Sequence, residues 1–470
     1  METTPLLYVQ ISKSLEHQIN TGILKEYDKL PSLRSICLEY GVSMNTAIRS
    51  YEELERSGFI ESVAKSGYFV HRRNRRFRSI PSVTNPELVT KNDNQEGVIT
   101  TMVKNFDNAP IHLSSANLGP ELVPIKRINK ALLAATQTLS DSGTIYRRQG
   151  SSKLKIEIAK RTYGWGGNLK DSDIVPTSGS MDAIAFCLLA LTKAGDTIVV
   201  ESPCYFGILR LANSMGLIVV ELPTHPLMGL ELDAFRNLIS KRKVAACVVV
   251  TNFSNPLGSC MPSENKKELV RLVTLYDIPL IEDDLYGDLY FENTRPKACK
   301  AFDEAGMVLW CGSFSKTLVS GYRVGWVAPG KFKEQIERIK LYYTLQSSVI
   351  THEAVGNFME SGAYEKHLNT LRPILRNNCY QFQKTIHDHF PAHARVSQPS
   401  GGMNLWVEFG NKFDALELYN KAIEKGLSIT PGRAYTLQNQ YLNCIKLSYG
   451  LKWDDKMEGA LKLLGTLANE

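Results

Sequence analysis

The chain has 470 residues, 43% of them hydrophobic, and a formal net charge of +7; this length exceeds one compact core and predicts roughly two or three domains. No apolar run approaches the roughly 18 residues of a membrane helix, and the start lacks the basic-then-apolar order of a signal peptide, so we expect a cytoplasmic protein. Nine cysteines without a Cys-x-x-Cys pair argue against a disulfide framework or a zinc ribbon.

Three short helices are predicted in the first part of the chain. Apolar residues at helical spacing predict a helix over residues 8–23 and a second one over residues 33–40, with Ser32 as its N-cap. A third helix opens at Ser43, after a tight turn that contains Gly41. Two helices joined in this way form a helix-turn-helix, whose second helix presents polar and basic side chains to DNA bases.

A two-stranded wing is predicted after the third helix, over residues 58–70, with Lys65 and Gly67 at its tip. The alternative is an ordinary three-helix domain that docks on the rest of the chain. The third helix has two distinct faces, an apolar one with Ala47, Tyr51 and Leu54 and a polar one with Asn45, Thr46 and Arg49.

Residues 71–110 form a linker of different composition. Residues 71–78 hold five arginines and no acid, and residues 79–110 are polar, contain prolines and are predicted to be flexible or irregular. The arginines either form a solvated hinge or contact phosphates. Because residues 1–70 hold seven Lys plus Arg against nine Asp plus Glu, the linker would compensate for an acidic first domain.

The stretch LPSLRSICLEYGVSMNTAIRSYEELERSGFIESVAKSGYFV resembles the winged-helix domain of GntR-type bacterial regulators, and the resemblance covers nearly all of residues 5–70. It implies a DNA surface made of Ser32, Arg34, Ser43, Asn45, Thr46, Arg49, Lys65 and Gly67. Arg34 and Arg49 are expected on phosphates or guanine edges. Met44 stands where that family usually has arginine, which predicts weaker backbone affinity or an altered base preference.

Residues 111–470 alternate apolar strand-like runs with helix-like segments, a pattern that predicts an α/β fold with a parallel, doubly wound sheet. The predicted strands cover residues 197–200, 217–222, 245–251, 279–281 and 308–311. Chemistry in such sheets gathers beyond the carboxyl ends of the strands. Four polar clusters lie there, at residues 177–182, 251–258, 281–286 and 312–326. Any one of them alone would most often be structural.

In this order, the four clusters resemble the fold type I aminotransferases that carry pyridoxal 5′-phosphate (PLP), over roughly residues 111–470. The resemblance implies a mostly parallel seven-stranded sheet with a smaller C-terminal α+β subdomain. It makes Lys316 the Schiff-base lysine, whose pKa would be lowered by enclosure beside Arg323. It places the phosphate on Ser178, Gly179, Ser180, Ser313, Ser315 and Arg323. No metal is expected, because the histidines near residue 390 lack Cys or carboxylate company.

The same resemblance assigns the contacts of the ring. Asp283 pairs with the pyridine nitrogen, Asn255 and Tyr286 bond the ring oxygen, and Tyr205 stacks on the ring face. Tyr146 matches a tyrosine that reaches the phosphate of the partner subunit, which implies a homodimer.

The C-terminal part departs from the enzyme pattern. Lys446 stands where catalytic aminotransferases commonly have the arginine that grips the α-carboxylate, and a lysine offers a point charge instead of a fork. Arg433 either supplies a replacement cation or is a surface arginine.

A winged helix, a basic linker and an aminotransferase-like domain together form the layout of MocR regulators, which the whole chain resembles. The expected function is PLP-dependent, DNA-binding transcriptional regulation in a bacterial cytoplasm, at the nucleoid when bound to DNA. The effector would be an amine, an amino acid or PLP, sensed through aldimine formation at Lys316. The alternatives are a working aminotransferase of amino acids and a DNA-binding protein with a vestigial PLP site.

Overall fold

The computed structural model describes residues 6–25, 27–56, 59–63, 66–70, 78–88, 109–139, 144–147 and 149–470. The chain forms two compact units, Met1–Arg78 and Ser79–Glu470. Lys65, most of the arginine-rich run and the KNDNQEG stretch lie outside the described residues.

The first unit is a three-helix domain with a β-hairpin. Its elements are α1 (Leu7–Asn20), α2 (Leu33–Tyr40), α3 (Met44–Arg56), β1 (Ile60–Val63) and β2 (Gly67–Val70). The two strands pair in antiparallel register, with Ile60 opposite Val70. This arrangement confirms the predicted winged helix-turn-helix.

Local chemistry explains where these helices begin and end. The Ser32 hydroxyl accepts the Ser35 N–H at 3.1 Å and caps α2, and Gly41 ends α2 with a left-handed φ of 62°. Helix α3 packs through its predicted inner face, because Ala47, Tyr51 and Leu54 are all buried.

The second unit contains the remaining strands. They are β3 (Ile111–His112), β4 (Val175–Thr177), β5 (Thr197–Glu201), β6 (Ile218–Leu222), β7 (Thr224–His225), β8 (Gly229–Leu230), β9 (Ala246–Val249), β10 (Leu280–Asp283), β11 (Val308–Ser313), β12 (Gly325–Ala328), β13 (Arg395–Val396), β14 (Asn404–Glu408), β15 (Leu427–Ser428), β16 (Thr430–Pro431) and β17 (Cys444–Ser448).

The helices of the second unit are α4 (Ile125–Thr138), α5 (Ser152–Thr162), α6 (Ser180–Leu191), α7 (Phe206–Ser214), α8 (Leu232–Ile239), α9 (Ser263–Leu275), α10 (Lys333–Tyr343), α11 (Val349–Glu360), α12 (Ala363–His389), α13 (Ala415–Glu424) and α14 (Asp455–Leu467). None of the helices in the described ranges is long and apolar enough to cross a membrane. The described residues also hold no group of three or more His, Cys, Asp or Glu placed to bind a metal ion.

The central sheet has seven strands in the order β4-β12-β11-β10-β9-β5-β6, and β12 runs against the others. Its strands are almost entirely buried because both faces are covered: Ile198 and Val200 pack towards α6 and α7, and Val199 packs towards α8 and α9. A smaller antiparallel sheet, β13-β14-β17-β16, forms with neighbouring helices the C-terminal α+β subdomain. Both predicted features are confirmed.

The segment 79–88 is irregular but hydrogen-bonded to the second unit. The Thr84 hydroxyl donates to the Ser202 carbonyl at 2.6 Å, and the Ser82 N–H donates to Glu408 Oε2 at 2.7 Å. The Gln438 side chain exchanges two bonds with the backbone of Glu87, at 3.0 and 2.7 Å. This part of the linker is therefore held on the large unit.

Candidate cofactor site

A cavity of about 540 Å³ opens between the carboxyl ends of the parallel strands and the C-terminal subdomain. The predicted site residues that line it are Ser180, Tyr205, Asn255, Asp283, Tyr286, Ser315, Lys316, Arg323 and Lys446. Ser178 and Gly179 stand in the turn before Ser180, and Ser313 donates a hydrogen bond to Ser315 at 2.8 Å. The sheet therefore gathers side chains from clusters that are far apart in sequence.

Lys316 enters this cavity from the turn that follows β11. Its Nζ donates to Asn117 Oδ1 at 2.8 Å. The pKa of Lys316 is lowered to about 8, first by burial and then by the positive charge of Arg323, while Asp283 acts in the opposite direction. A larger fraction of this amine is thus unprotonated near neutral pH than of an exposed lysine.

Arg323 and the turn before α6 form a compact cationic corner. Arg323 adopts a left-handed φ of 53°, and its Nη1 donates to the Ser315 hydroxyl at 3.4 Å. A Cβ at Gly179 would lie 2.7 Å from Arg323 Nη2, so only glycine leaves room for the guanidinium. The Ser178 N–H is already donated to Asp182 Oδ2 at 2.8 Å. Of the predicted phosphate donors, Ser180, Ser315 and Arg323 line the cavity.

Three buried oxygens in the same cavity, counting the Tyr286 hydroxyl, have no hydrogen-bond partner among the described residues. Asp283 Oδ1 and Asn255 Oδ1 accept no hydrogen bond from any described residue. Burial raises the pKa of Asp283 to about 8, with Asp284 adding to the rise and Lys316 opposing it. Buried polar atoms are normally bonded, so these unpartnered atoms point to a polar ligand in the cavity.

Two tyrosines flank these acceptors. Tyr205 precedes α7, and a Cβ at Gly207 would come within 2.5 Å of its ring, so the glycine permits the observed ring position. Tyr286 is fully buried, and burial raises the pKa of its phenol. Both rings line the cavity beside Asp283.

The two cations predicted to bind the effector, Lys446 and Arg433, do not both line the cavity. Lys446, on β17, lines the cavity and donates to the Ser114 carbonyl at 2.8 Å. Burial lowers the pKa of Lys446 to about 7, and the charge of Lys316 contributes. Arg433 does not line the cavity; its Nη2 donates to Asn439 Oδ1 at 3.3 Å.

Tyr146 lies outside this cavity as well. Its side chain is 69% exposed, in a surface depression with Arg147 and Glu353. A contact with a partner subunit remains a prediction.

Most of the predicted DNA residues that the structure describes are exposed. Ser32, Arg34, Ser43, Asn45, Arg49 and Gly67 are exposed, and Thr46 is half-buried. The Ser43 hydroxyl accepts the Thr46 N–H at 3.2 Å and caps α3, while the Arg49 guanidinium lies 5.1 Å from the centre of the Tyr8 ring. The polar face of α3 is therefore free to meet a ligand.

Sequence reasoning missed several lining residues, among them Ser114, Ser115, Asn117, Tyr419, Thr430 and Tyr435. Asn117 belongs to the irregular stretch SSANLGP, which carries no strand or helix period. Its run of small polar residues before Gly-Pro was the one available signal.

The cavity fits PLP by its donor set. Lys316 offers an amine for an aldehyde, Asp283 an acceptor for a ring N–H, and Asn255 an amide for a ring oxygen. Ser180, Ser315 and Arg323 suit a dianion. The fold and this site define a fold type I aminotransferase domain, preceded in the chain by a winged helix.

The comparisons identify both parts. Residues 112–462 match aminotransferase class I and II, and residues 7–70 match bacterial regulatory proteins of the gntR family. The chain therefore belongs to the GntR-type regulators fused to a class I and II aminotransferase domain, the MocR layout.

Relatives share the whole layout. The HTH-type transcriptional regulator YdcR of Escherichia coli is 32% identical over 466 residues, covering 98% of this chain and 99% of YdcR. NorG, an HTH-type transcriptional regulator of Staphylococcus aureus, is 27% identical over 443 residues, covering 92% and 98%.

Solved structures resemble the large unit in fold. The kynurenine aminotransferase of Pyrococcus horikoshii superposes with a TM-score of 0.73 at 24% identity, covering 80% of this chain and 96% of that one. LysN, an α-aminoadipate aminotransferase of Thermus thermophilus, gives 0.73 at 22% identity, covering 80% and 95%.

Proposed function

We propose that this protein is a DNA-binding transcriptional regulator that carries PLP at Lys316 and responds to a small amine, an amino acid or PLP itself. One observation carries the proposal. The cavity joins a lysine of lowered pKa, three unpartnered buried oxygens and an arginine beside a glycine turn, on a chain whose first unit presents an exposed polar helix.

The protein's own residues would prepare the site. PLP, when bound, supplies an aldehyde and an electron-withdrawing ring. Burial and Arg323 keep part of the Lys316 amine unprotonated, and Asn117 Oδ1 orients its Nζ. Asp283, enclosed and facing the cavity, would hold a proton at the ring nitrogen.

Sensing requires two arrangements of the protein. A ligand changes DNA binding only if it binds one arrangement more tightly than the other. We propose that an amine reacting at the aldehyde, or PLP reacting with Lys316, supplies this difference, and that the residues exposed along α2 and α3 contact DNA.

The experiment is a fluorescence-anisotropy titration of the promoter DNA next to the gene, with and without PLP and a panel of amines. We expect the DNA dissociation constant to change on addition of PLP or of one amine. The matched control is Lys316→Arg, which keeps a cation but forms no stable link to an aldehyde. Identical affinities under all conditions would exclude the switch.

A second candidate is a working aminotransferase. It is favoured by the complete ring-side set around Lys316 in one cavity, while Lys446 opposes it because a lysine orients a carboxylate less well than arginine does. Multiple turnovers with a keto acid would favour the enzyme; a single half-reaction would favour the regulator.

We also propose a cytoplasmic homodimer. Several large apolar side chains of the second unit are exposed, with Ile145 at 62%, Tyr342 at 70% and Tyr343 at 62%. Exposed apolar side chains that lie together commonly mark protein interfaces. Sedimentation velocity tests it, and a monomer at micromolar concentration would contradict it.

A further inference from the structure

A second cavity, of about 360 Å³, lies among α5, β4 and α10 and shares no lining residue with the cavity at Lys316. Two of its lining residues are deeply buried lysines. Lys155 of α5 is 8% exposed, and Lys340 of α10 is 4% exposed. Burying an ammonium group costs free energy unless a partner compensates its charge.

Neither ammonium group forms a hydrogen bond or an ion pair with any residue that the structure describes. Burial lowers the pKa of Lys340 to about 8; Asp182 and Glu337 oppose this change, and Lys155 adds to it by repulsion. The two lysines therefore lie close enough to repel each other, and neither is bonded to Asp182 or Glu337, the acids whose charges attract Lys340.

The remaining polar groups of the cavity differ in charge. Lys333 adds a third cation at the edge, and Gln149 and Ser172 offer further donors. The acids that line it, Asp171 and Glu337, are exposed, and Glu337 lies 3.8 Å from Lys333. The deep part of the cavity is thus cationic.

We propose that this cavity binds a small oxyanion, with a phosphate or carboxylate group held between the ammonium groups of Lys155 and Lys340. Such a ligand accepts bonds from both amines and neutralises the repulsion between them. The volume is in the range of small-molecule sites. Asp182 attracts Lys340 and also accepts the Ser178 N–H. The bound anion would therefore be connected, through Lys340 and Asp182, to the turn at the PLP site.

The test measures the thermal unfolding midpoint of the full-length protein in phosphate-free buffer, with inorganic phosphate or citrate added. The protein is loaded with PLP first, because the corner at Arg323 could also take phosphate. We expect a saturable rise in the midpoint beyond that caused by chloride at equal ionic strength. A response to phosphate alone would identify a phosphate site, and a response to both would identify a general oxyanion site.

Variants assign the effect to the two lysines. Lys155→Met and Lys340→Met should each raise the half-saturating concentration roughly tenfold, the loss of one charge-assisted bond. Their midpoints without phosphate should not fall, because each change removes a buried charge. Lys331→Met, at an exposed lysine paired with Asp277, should keep the response. The proposal is overturned if chloride matches phosphate and citrate, or if both buried-lysine variants respond like the parent protein.

Discussion

Asn117 Oδ1 accepts a hydrogen bond from Lys316 Nζ at 2.8 Å, across 199 positions of sequence. An amide oxygen can accept from both the charged and the neutral amine. Asn117 therefore orients Lys316 without fixing its protonation state. That state is set by burial and by Arg323.

The rate at which the apo protein attaches PLP should rise with pH and level off above about 8, because only the unprotonated Lys316 amine attacks an aldehyde. A lysine of ordinary pKa would continue to gain rate up to about pH 10. Stopped-flow absorbance measures this profile, with Lys316→Arg as the unreactive control. A rate still rising at about pH 10 would contradict the enclosed position of the amine.

Asp283→Asn should weaken PLP binding roughly tenfold to a hundredfold, because it removes one charged hydrogen bond of the ring.

In the apo protein, the same substitution should instead be favourable: it should increase folding stability relative to the parent as pH rises. The pKa of Asp283 is raised from 3.8 to about 8, so between these values the folded state holds a proton that the unfolded state has lost.

The contribution of Asp283 to stability consequently falls as pH rises from about 4 to about 8. The variant lacks this loss, and its unfolding midpoint relative to the parent should increase across that window. Calorimetry of the two apo proteins checks it; a constant difference would show that Asp283 is ionised in the fold.

Much of the fold could be predicted because its signals are local. The strand ending at Asp283 is a short apolar run, and alternate residues of β5 need apolar partners on both sides of the sheet. Prolines, glycines and serine caps then fix where elements begin and end. Predicted bounds of the strands differ from observed ones by a residue or two, as with 197–200 against Thr197–Glu201, whereas the first helix, predicted to reach residue 23, ends at Asn20.

The site was harder to predict than the fold. The walls of its cavity come from loops that are far apart in sequence and have no helix or strand periodicity. Asn117 and Ser114 belong to a loop, and its run of small polar residues does not by itself indicate that it reaches Lys316 and Lys446. The hydrogen bond from the Ser178 N–H to Asp182 could not be predicted from the sequence for the same reason. The DNA-facing and PLP-binding roles themselves stay predictions.

Lys446 should bind carboxylates more tightly at low pH. Its pKa is lowered to about 7, so the amine loses its positive charge as pH rises through that value. A simple monocarboxylate without an amine should bind the PLP-loaded protein several-fold more weakly at about pH 8 than at about pH 6. Titration calorimetry measures this, and Lys446→Arg should remove the pH dependence because arginine stays charged.

The linker segment 79–88 should be protected from hydrogen exchange. Thr84→Val removes the bond to the Ser202 carbonyl and should speed local exchange roughly fivefold, equivalent to about 1 kcal/mol. Thr84→Ser, which keeps the hydroxyl, should exchange at close to the parent rate. Equal rates in the parent and the valine variant would mean that this contact does not hold the segment.

Met44→Arg should tighten DNA binding. Met44 is 41% exposed at the start of α3, and an arginine there would restore the cation that GntR-type domains usually carry. Each added phosphate contact releases a counter-ion, so the slope of log affinity against log salt should steepen by about one. Anisotropy titrations over a salt series measure the slope, with Met44→Gln as the uncharged control.

Arg49→Ala should make the same slope shallower by a similar amount, because the guanidinium above Tyr8 is then absent. Unchanged slopes in both the Met44→Arg and the Arg49→Ala variants would place this face of α3 away from the DNA.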